Sequence, residues 1–173
     1  MSKTALYLVA LSVCLLLAQG VVFDNLVLFN CAMPFVFIYI IIALPITLGT
    51  NKSVAAGFVI GLVADAFADT YGLNALCCTI LAFMRKPVFH LYVQRDEDLA
   101  GQCPTMRTMG VDTYMKYAAT MVLAYCILVF VTEAFGFFNP LRLLLRIAAS
   151  TAYTLVIIYT LDSMSLSRHA KRL

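Results

Sequence analysis

The sequence predicts an all-α, polytopic membrane protein with six transmembrane helices, and two observations carry that expectation. The chain is 63% hydrophobic and only 12% charged, with a mean hydropathy of +0.94. Soluble domains run at about 25% charged residues. Charges are also missing over long intervals. Asp24 stands alone between Lys3 and Lys52, and none falls between Lys116 and Glu133 or between Arg146 and Asp162. A helix needs about 20 mostly apolar residues to cross a bilayer, and these intervals supply them.

The expected spans run over 4–23, 33–49, 53–69, 72–93, 113–135 and 141–162. In the first, Lys3 precedes an apolar run ending in Ala18-Gln19-Gly20, the outline of a signal peptide. Another apolar run follows, so a true span is expected. Ala10, Cys14 and Ala18 recur at four-residue spacing there and form a small-residue face suited to close helix packing. The second run starts near Pro34 and meets Pro45 near its end, where a kink or an early stop is expected.

The third and fourth runs are joined by Asp69-Thr70-Tyr71-Gly72, a tight turn that makes them an antiparallel hairpin. The fourth has only about 14 residues before Arg85, Lys86 and Pro87, roughly 21 Å of helix. Either it continues to Val93 while Arg85 and Lys86 snorkel, or residues 88–93 lie along the membrane surface. The fifth run is charge-free from Lys116 to Glu133. The sixth opens on Arg142 and Arg146, and the chain closes on the basic run Arg168-His169-Ala170-Lys171-Arg172.

Basic residues set the expected orientation. With the N-terminus inside, ten of the twelve Lys and Arg residues fall on the cytoplasmic side, leaving Arg142 and Arg146 outside. Both termini are then cytoplasmic, and residues 1–173 form a single membrane domain. The largest hydrophilic loop, 94–112, is also cytoplasmic. It carries Arg95 and Arg107 among charges of both signs, as a solvated connector or a docking surface for a cytoplasmic partner. The net charge of +3 is spread over loops and does not form a nucleic-acid face.

Catalytic and metal-binding patterns are missing from the sequence. His90 and His169 lie far from the acidic residues of the third run. There is no nucleophile elbow, H-E-x-x-H, phosphate-cradling glycine loop or dinucleotide fingerprint. The six cysteines lack metal-ligand spacing and read as small packing residues. A non-enzymatic chain without cofactor is expected.

One stripe stands out. Gly57, Gly61, Asp65 and Asp69 fall four residues apart and share a single helix face. A charge in a membrane interior is costly and usually faces a partner or a wet cavity. Laid antiparallel to the sixth span, the stripe sets Asp65 beside Arg146 and Asp69 beside Arg142. Gly61 and Gly57 then meet Ser150 and Thr154. Two arrangements compete with this one. Glu133 takes Arg146, or the glycines pack another helix while Asp65 faces an outer groove.

The run Gly57-Phe58-Val59-Ile60-Gly61-Leu62-Val63-Ala64-Asp65, followed by Gly72-Leu73-Asn74-Ala75, resembles the G-x-x-x-G-L-x-x-D … G-x-x-A pattern of the MreD family of rod shape-determining proteins. Arg107-Thr108-Met109-Gly110, Glu133-Ala134-Phe135 and Leu145-Arg146-Ile147 are similar to its Bacteroidetes-like branch. The resemblance implies a multi-pass protein of the bacterial cytoplasmic (inner) membrane. Its fold would be similar to the six-helix S component of energy-coupling-factor vitamin transporters. The implied role is a scaffold of the elongation (Rod) complex that binds MreC, alongside MreB, RodA and its transpeptidase, and so supports peptidoglycan synthesis and rod cell shape. The family implies no catalytic residue. The stripe, with Gly72, Glu133, Arg142 and Arg146, would hold the surface that receives MreC. The alternative function is a vitamin-binding S component, with polar residues gathered at the outer rim.

Overall fold

The computed structural model describes Leu15, Gln19, residues 33–93, 104–133 and 140–170, with backbone only at 107, 140, 142 and 164–170. Among the described residues every regular element is helical. These are α1 (Ile38–Ala43), α2 (Thr50–Ala68), α3 (Leu73–Tyr92), α4 (Met106–Met109), α5 (Val111–Glu133) and α6 (Pro140–Ala170). Among the described residues, three stretches are long and apolar enough to cross a membrane: Thr50–Ala68, Val111–Glu133 and Leu143–Ser163. The chain is thus a helical protein of membrane character.

The long helices pack in a row in the order α2, α3, α5, α6. The turn at Asp69–Gly72 folds α3 back on α2, as the sequence predicts. Asp69 is the C-cap of α2 at φ 51°, a left-handed conformation that Asp tolerates better than most residues. Gly72 follows at φ 80° and opens α3. Helix α5 lies at the centre. Its buried face repeats at Tyr114, Tyr117, Ala118, Met121, Val122, Tyr125, Cys126, Val129 and Phe130, a three-to-four-residue period that places one broad stripe inward.

The apolar run 33–49 is not one continuous helix, which departs from the second span expected from sequence. Residues 33–35 carry no regular structure, α1 has only six residues, and 44–49 form a turn containing Pro45. The proline ring and its missing N–H stop the helix there. Every residue from Pro34 to Leu44 is nevertheless buried. Phe35 and Phe37 meet Tyr125 edge-on, at ring-centroid distances of 5.2 and 5.7 Å. This inner segment sits against the row of long helices. Lipid tails are as apolar as isoleucine, so burial of the α1 side chains gains packing rather than escape from water. Backbone hydrogen bonding therefore has to fix its position.

Helix α3 runs unbroken through Pro87 to Tyr92, which agrees with the first of the two sequence readings. Arg85 departs from it. The side chain does not snorkel outward but turns into the core, where it is 1% exposed. Helix α6 reaches Ala170, beyond the expected end at 162, and has 31 residues. The first expected span lies outside the described residues except for Leu15 and Gln19.

Candidate functional site

Helix α3 starts without a capping side chain of its own, because its N-cap is Gly72. The first N–H groups of a helix have no partner inside it, and burial without one is costly. Asp65 supplies the partner from the neighbouring helix. Its Oδ1 accepts from the Asn74 N–H at 2.9 Å and its Oδ2 from the Ala75 N–H at 2.8 Å. The Thr70 hydroxyl donates to the same Oδ1 at 2.5 Å. The carboxylate is 6% exposed. The carboxylate lies at the N-terminal end of α3, where the helix dipole is positive and an acidic cap is favourable.

The network continues inward. The Asn74 amide donates to Thr70 Oγ1 at 3.1 Å, and the Tyr125 hydroxyl donates to Asn74 Oδ1 at 2.5 Å. One carboxylate thereby ties α2, the turn, α3 and α5 together. Close packing beneath it depends on the two glycines. A Cβ on Gly61 would sit 2.6 Å from both the Ala75 Cα and the Asn74 carbonyl oxygen. A Cβ on Gly57 would sit 2.7 Å from the Ala82 Cβ and 2.8 Å from the Cys78 carbonyl oxygen. Both distances are below what real side chains allow, so the stripe lets α2 approach the α3 backbone.

This corrects the expected Asp65–Arg146 pair. The stripe faces α3, its partner in the hairpin, rather than α6. The main neighbours of α6 are α5 and α4. The Arg146 guanidinium carbon lies 5.0 Å over the Phe130 ring, a cation–π contact. Gly61 and Gly57 likewise meet α3 instead of Ser150 and Thr154. Asp69 is exposed at the turn and Glu133 is exposed at the end of α5. The side chains of Arg142 and Arg107 lie outside the described residues, as do Arg95, Ala10, Cys14 and Ala18. Cys77, Cys78 and Cys126 are free, buried packing residues.

A second set of buried polar groups, whose partners differ from those expected from sequence, holds the inner segment. The Met33 N–H donates to Ser150 Oγ and the Phe35 N–H to Thr154 Oγ1, each at 3.1 Å. Gln19 donates to the Pro34 carbonyl at 2.8 Å and accepts from the Val36 N–H at 3.0 Å. At the other end of the segment, Arg85 donates to the Leu44 carbonyl at 2.5 Å and lies 3.5 Å from the Ser53 hydroxyl. Asp162, 1% exposed, accepts from the Tyr39 hydroxyl at 3.1 Å and from the Met106 N–H at 2.7 Å. It joins α1 and α4 to α6. Irregular backbone at membrane depth persists only when neighbours satisfy its polar groups, and these side chains do so.

The irregular backbone also lines a cavity of about 250 Å³ at the Asp65 end of the molecule. Met33, Pro34 and Phe35 form one wall, and Ala68, Thr70, Leu73 and Asn74 of the hairpin form another. Val129 and Glu133 of α5 and Gln19 complete it. Of the residues singled out from sequence, Asn74 and Glu133 line this cavity, and Asp69 lies in sequence between two residues that do. Among the described residues no cluster of His, Cys, Asp and Glu could hold a metal ion. Comparison of the chain with family models, curated proteins and solved structures finds no match.

Proposed function

We propose that the chain is a non-enzymatic membrane scaffold of the bacterial elongation complex, which binds MreC in the inner membrane and supports the peptidoglycan synthesis that keeps cells rod-shaped. In this reading both termini are cytoplasmic and six segments belong to the membrane domain, arranged in a way similar to a transporter S component. The observation that supports it most is how the buried charges are used. Asp65, Arg85 and Asp162 each hold the backbone of a neighbouring element. A chain that commits its charges to its own rigidity suits a platform that another protein reads by shape. The motifs Gly57–Asp65 and Gly72–Ala75 support the same reading through their resemblance to MreD. The proposed contacts with MreB, RodA and its transpeptidase are direct or pass through MreC.

Co-expression with MreC from the same genome tests the proposal. A tagged copy of this chain should retain MreC through purification in mild detergent, and its deletion should round the cells. Loss of MreC in every mild detergent would overturn it. A vitamin-binding subunit of a transporter is the second reading, and the cavity beside Asn74 and Glu133 is the observation that favours it.

A further inference from the structure

The cavity at the Asp65 end has a chemistry of its own. Its apolar wall comes from Met33, Pro34, Phe35, Leu73 and Val129. Its polar side chains Thr70, Asn74 and Gln19 each already donate one hydrogen bond. The Thr70 hydroxyl donates to Asp65, Asn74 gives its amide to Thr70, and Gln19 donates to the Pro34 carbonyl. The Asn74 carbonyl oxygen is likewise taken, by the Tyr125 hydroxyl. What remains at the wall is an acceptor with a charge: the Glu133 carboxylate, which is exposed. Asp69, also exposed, stands in sequence between the lining residues Ala68 and Thr70 but does not itself line the cavity. Arg146 is set on the Phe130 ring and does not line the cavity.

Apolar walls with one convergent charged group are the usual make-up of a small-molecule site. Non-helical backbone lining a cavity within a membrane helix bundle is where such sites are commonly built. We propose that this cavity is a binding site for a small organic cation, a primary ammonium group on an apolar body. The ammonium is held by Glu133, and the body lies against Phe35, Leu73 and Val129. The volume of about 250 Å³ restricts the ligand to a compact molecule, below the usual span of roughly 300–1,000 Å³ for drug-sized sites. The assignment rests on the cavity considered as a chamber, as the second reading does, and requires neither transport nor MreC.

Three probes with one body and three heads test it: 2-phenylethylammonium, 2-phenylethanol and 3-phenylpropionate. Each is titrated against the purified full chain in nanodiscs of zwitterionic lipid, with the thermal midpoint as readout. The ammonium should raise the midpoint saturably, with half-saturation at or below about 10 mM and at least about tenfold tighter than the alcohol. The carboxylate should give no saturable shift. Glu133→Gln should abolish the preference of ammonium over alcohol, and Ala68→Trp should remove binding of both by filling the chamber. Saturation that is unchanged in Glu133→Gln would show partition into lipid and overturn the proposal. Equal or tighter binding of the carboxylate, or no saturable binding of the ammonium, would overturn it too. MreC retention, measured on the same preparation, separates this outcome from failure of the scaffold reading.

Discussion

Asp65 and Ala75 are joined across the hairpin turn by a 2.8 Å hydrogen bond from the Ala75 N–H to the Asp65 carboxylate. The bond gives a helix that lacks its own cap a cap borrowed from its neighbour. It also explains why an acidic residue stands beneath two glycines on an apolar helix. The glycines bring the backbones together, and the carboxylate binds what they bring.

Asp65→Ala should therefore destabilise the protein by about 3 kcal/mol, since two buried N–H groups lose their partner. Asp65→Asn should recover part of the loss. A double-mutant cycle with Arg146→Ala, read by unfolding in mixed micelles, should give additive losses, because the two residues share no partner. The same cycle with Thr70→Ala should show coupling of about 0.5 kcal/mol or more. Coupling to Arg146 in place of Thr70 would refute the clasp.

Gly61→Ala should cost about 1–3 kcal/mol or more through overpacking. The atoms in its way belong to the α3 backbone, which cannot swing aside. Gly57→Ala should cost a similar amount, because its Cβ would meet the Cys78 carbonyl oxygen of the same α3 backbone at 2.8 Å as well as the Ala82 methyl. Gly49→Ala, where a new Cβ meets nothing within 4 Å, is the control. Thermal midpoints in one detergent should place both variants well below Gly49→Ala.

Arg85→Ala should destabilise by about 1–3 kcal/mol, because the buried Leu44 carbonyl loses its charged donor. Lys86→Ala, one residue along and only half-buried, should change stability by about 0.5 kcal/mol or less. Equal effects at the two positions would mean that Arg85 is a snorkelling residue after all.

Asp162→Ala should loosen α4, whose first N–H it holds, and expose the segment before α5 to protease. Tyr39→Phe removes one bond from the same carboxylate and should cost about 1 kcal/mol. Limited proteolysis should cut Asp162→Ala near 104–110 faster than wild type, with Tyr39→Phe in between.

Several of these features could be read in the sequence, and others could not. The hairpin was legible because Asp69-Thr70-Tyr71-Gly72 is turn chemistry between apolar runs. The shared face of Gly57, Gly61 and Asp65 was legible because helical spacing is strict. The partner of that face was not, because periodicity shows which residues align and not what they meet. A clue was nonetheless present. The helix after Gly72 opens Leu73-Asn74-Ala75 with no Ser, Thr or Asp to cap it, so its N–H groups had to find an acceptor elsewhere. Arg85 offered no such clue. Its partner is the Leu44 carbonyl, 41 residues away in sequence, freed by a helix that stops before Pro45. Ser150 and Thr154 were visible as small residues but not as acceptors, because their partners lie in backbone that is irregular only through tertiary packing.

The two hydrogen-bonded systems close at different moments in the life of the chain. The bonds from Asp65 to Thr70, Asn74 and Ala75 lie wholly within residues 65–75. They can form as soon as the hairpin has left the ribosome, while the rest of the polypeptide is still being made. The inner segment closes in two stages: Gln19 and Arg85, both made early, reach Pro34, Val36 and Leu44. The hydroxyls that receive Met33 and Phe35 stand at 150 and 154, and the carboxylate that takes Tyr39 stands at 162, so these bonds wait for the final helix. A ribosome stalled before residue 150 would carry a complete hairpin clasp and an inner segment without its bonds to the last helix.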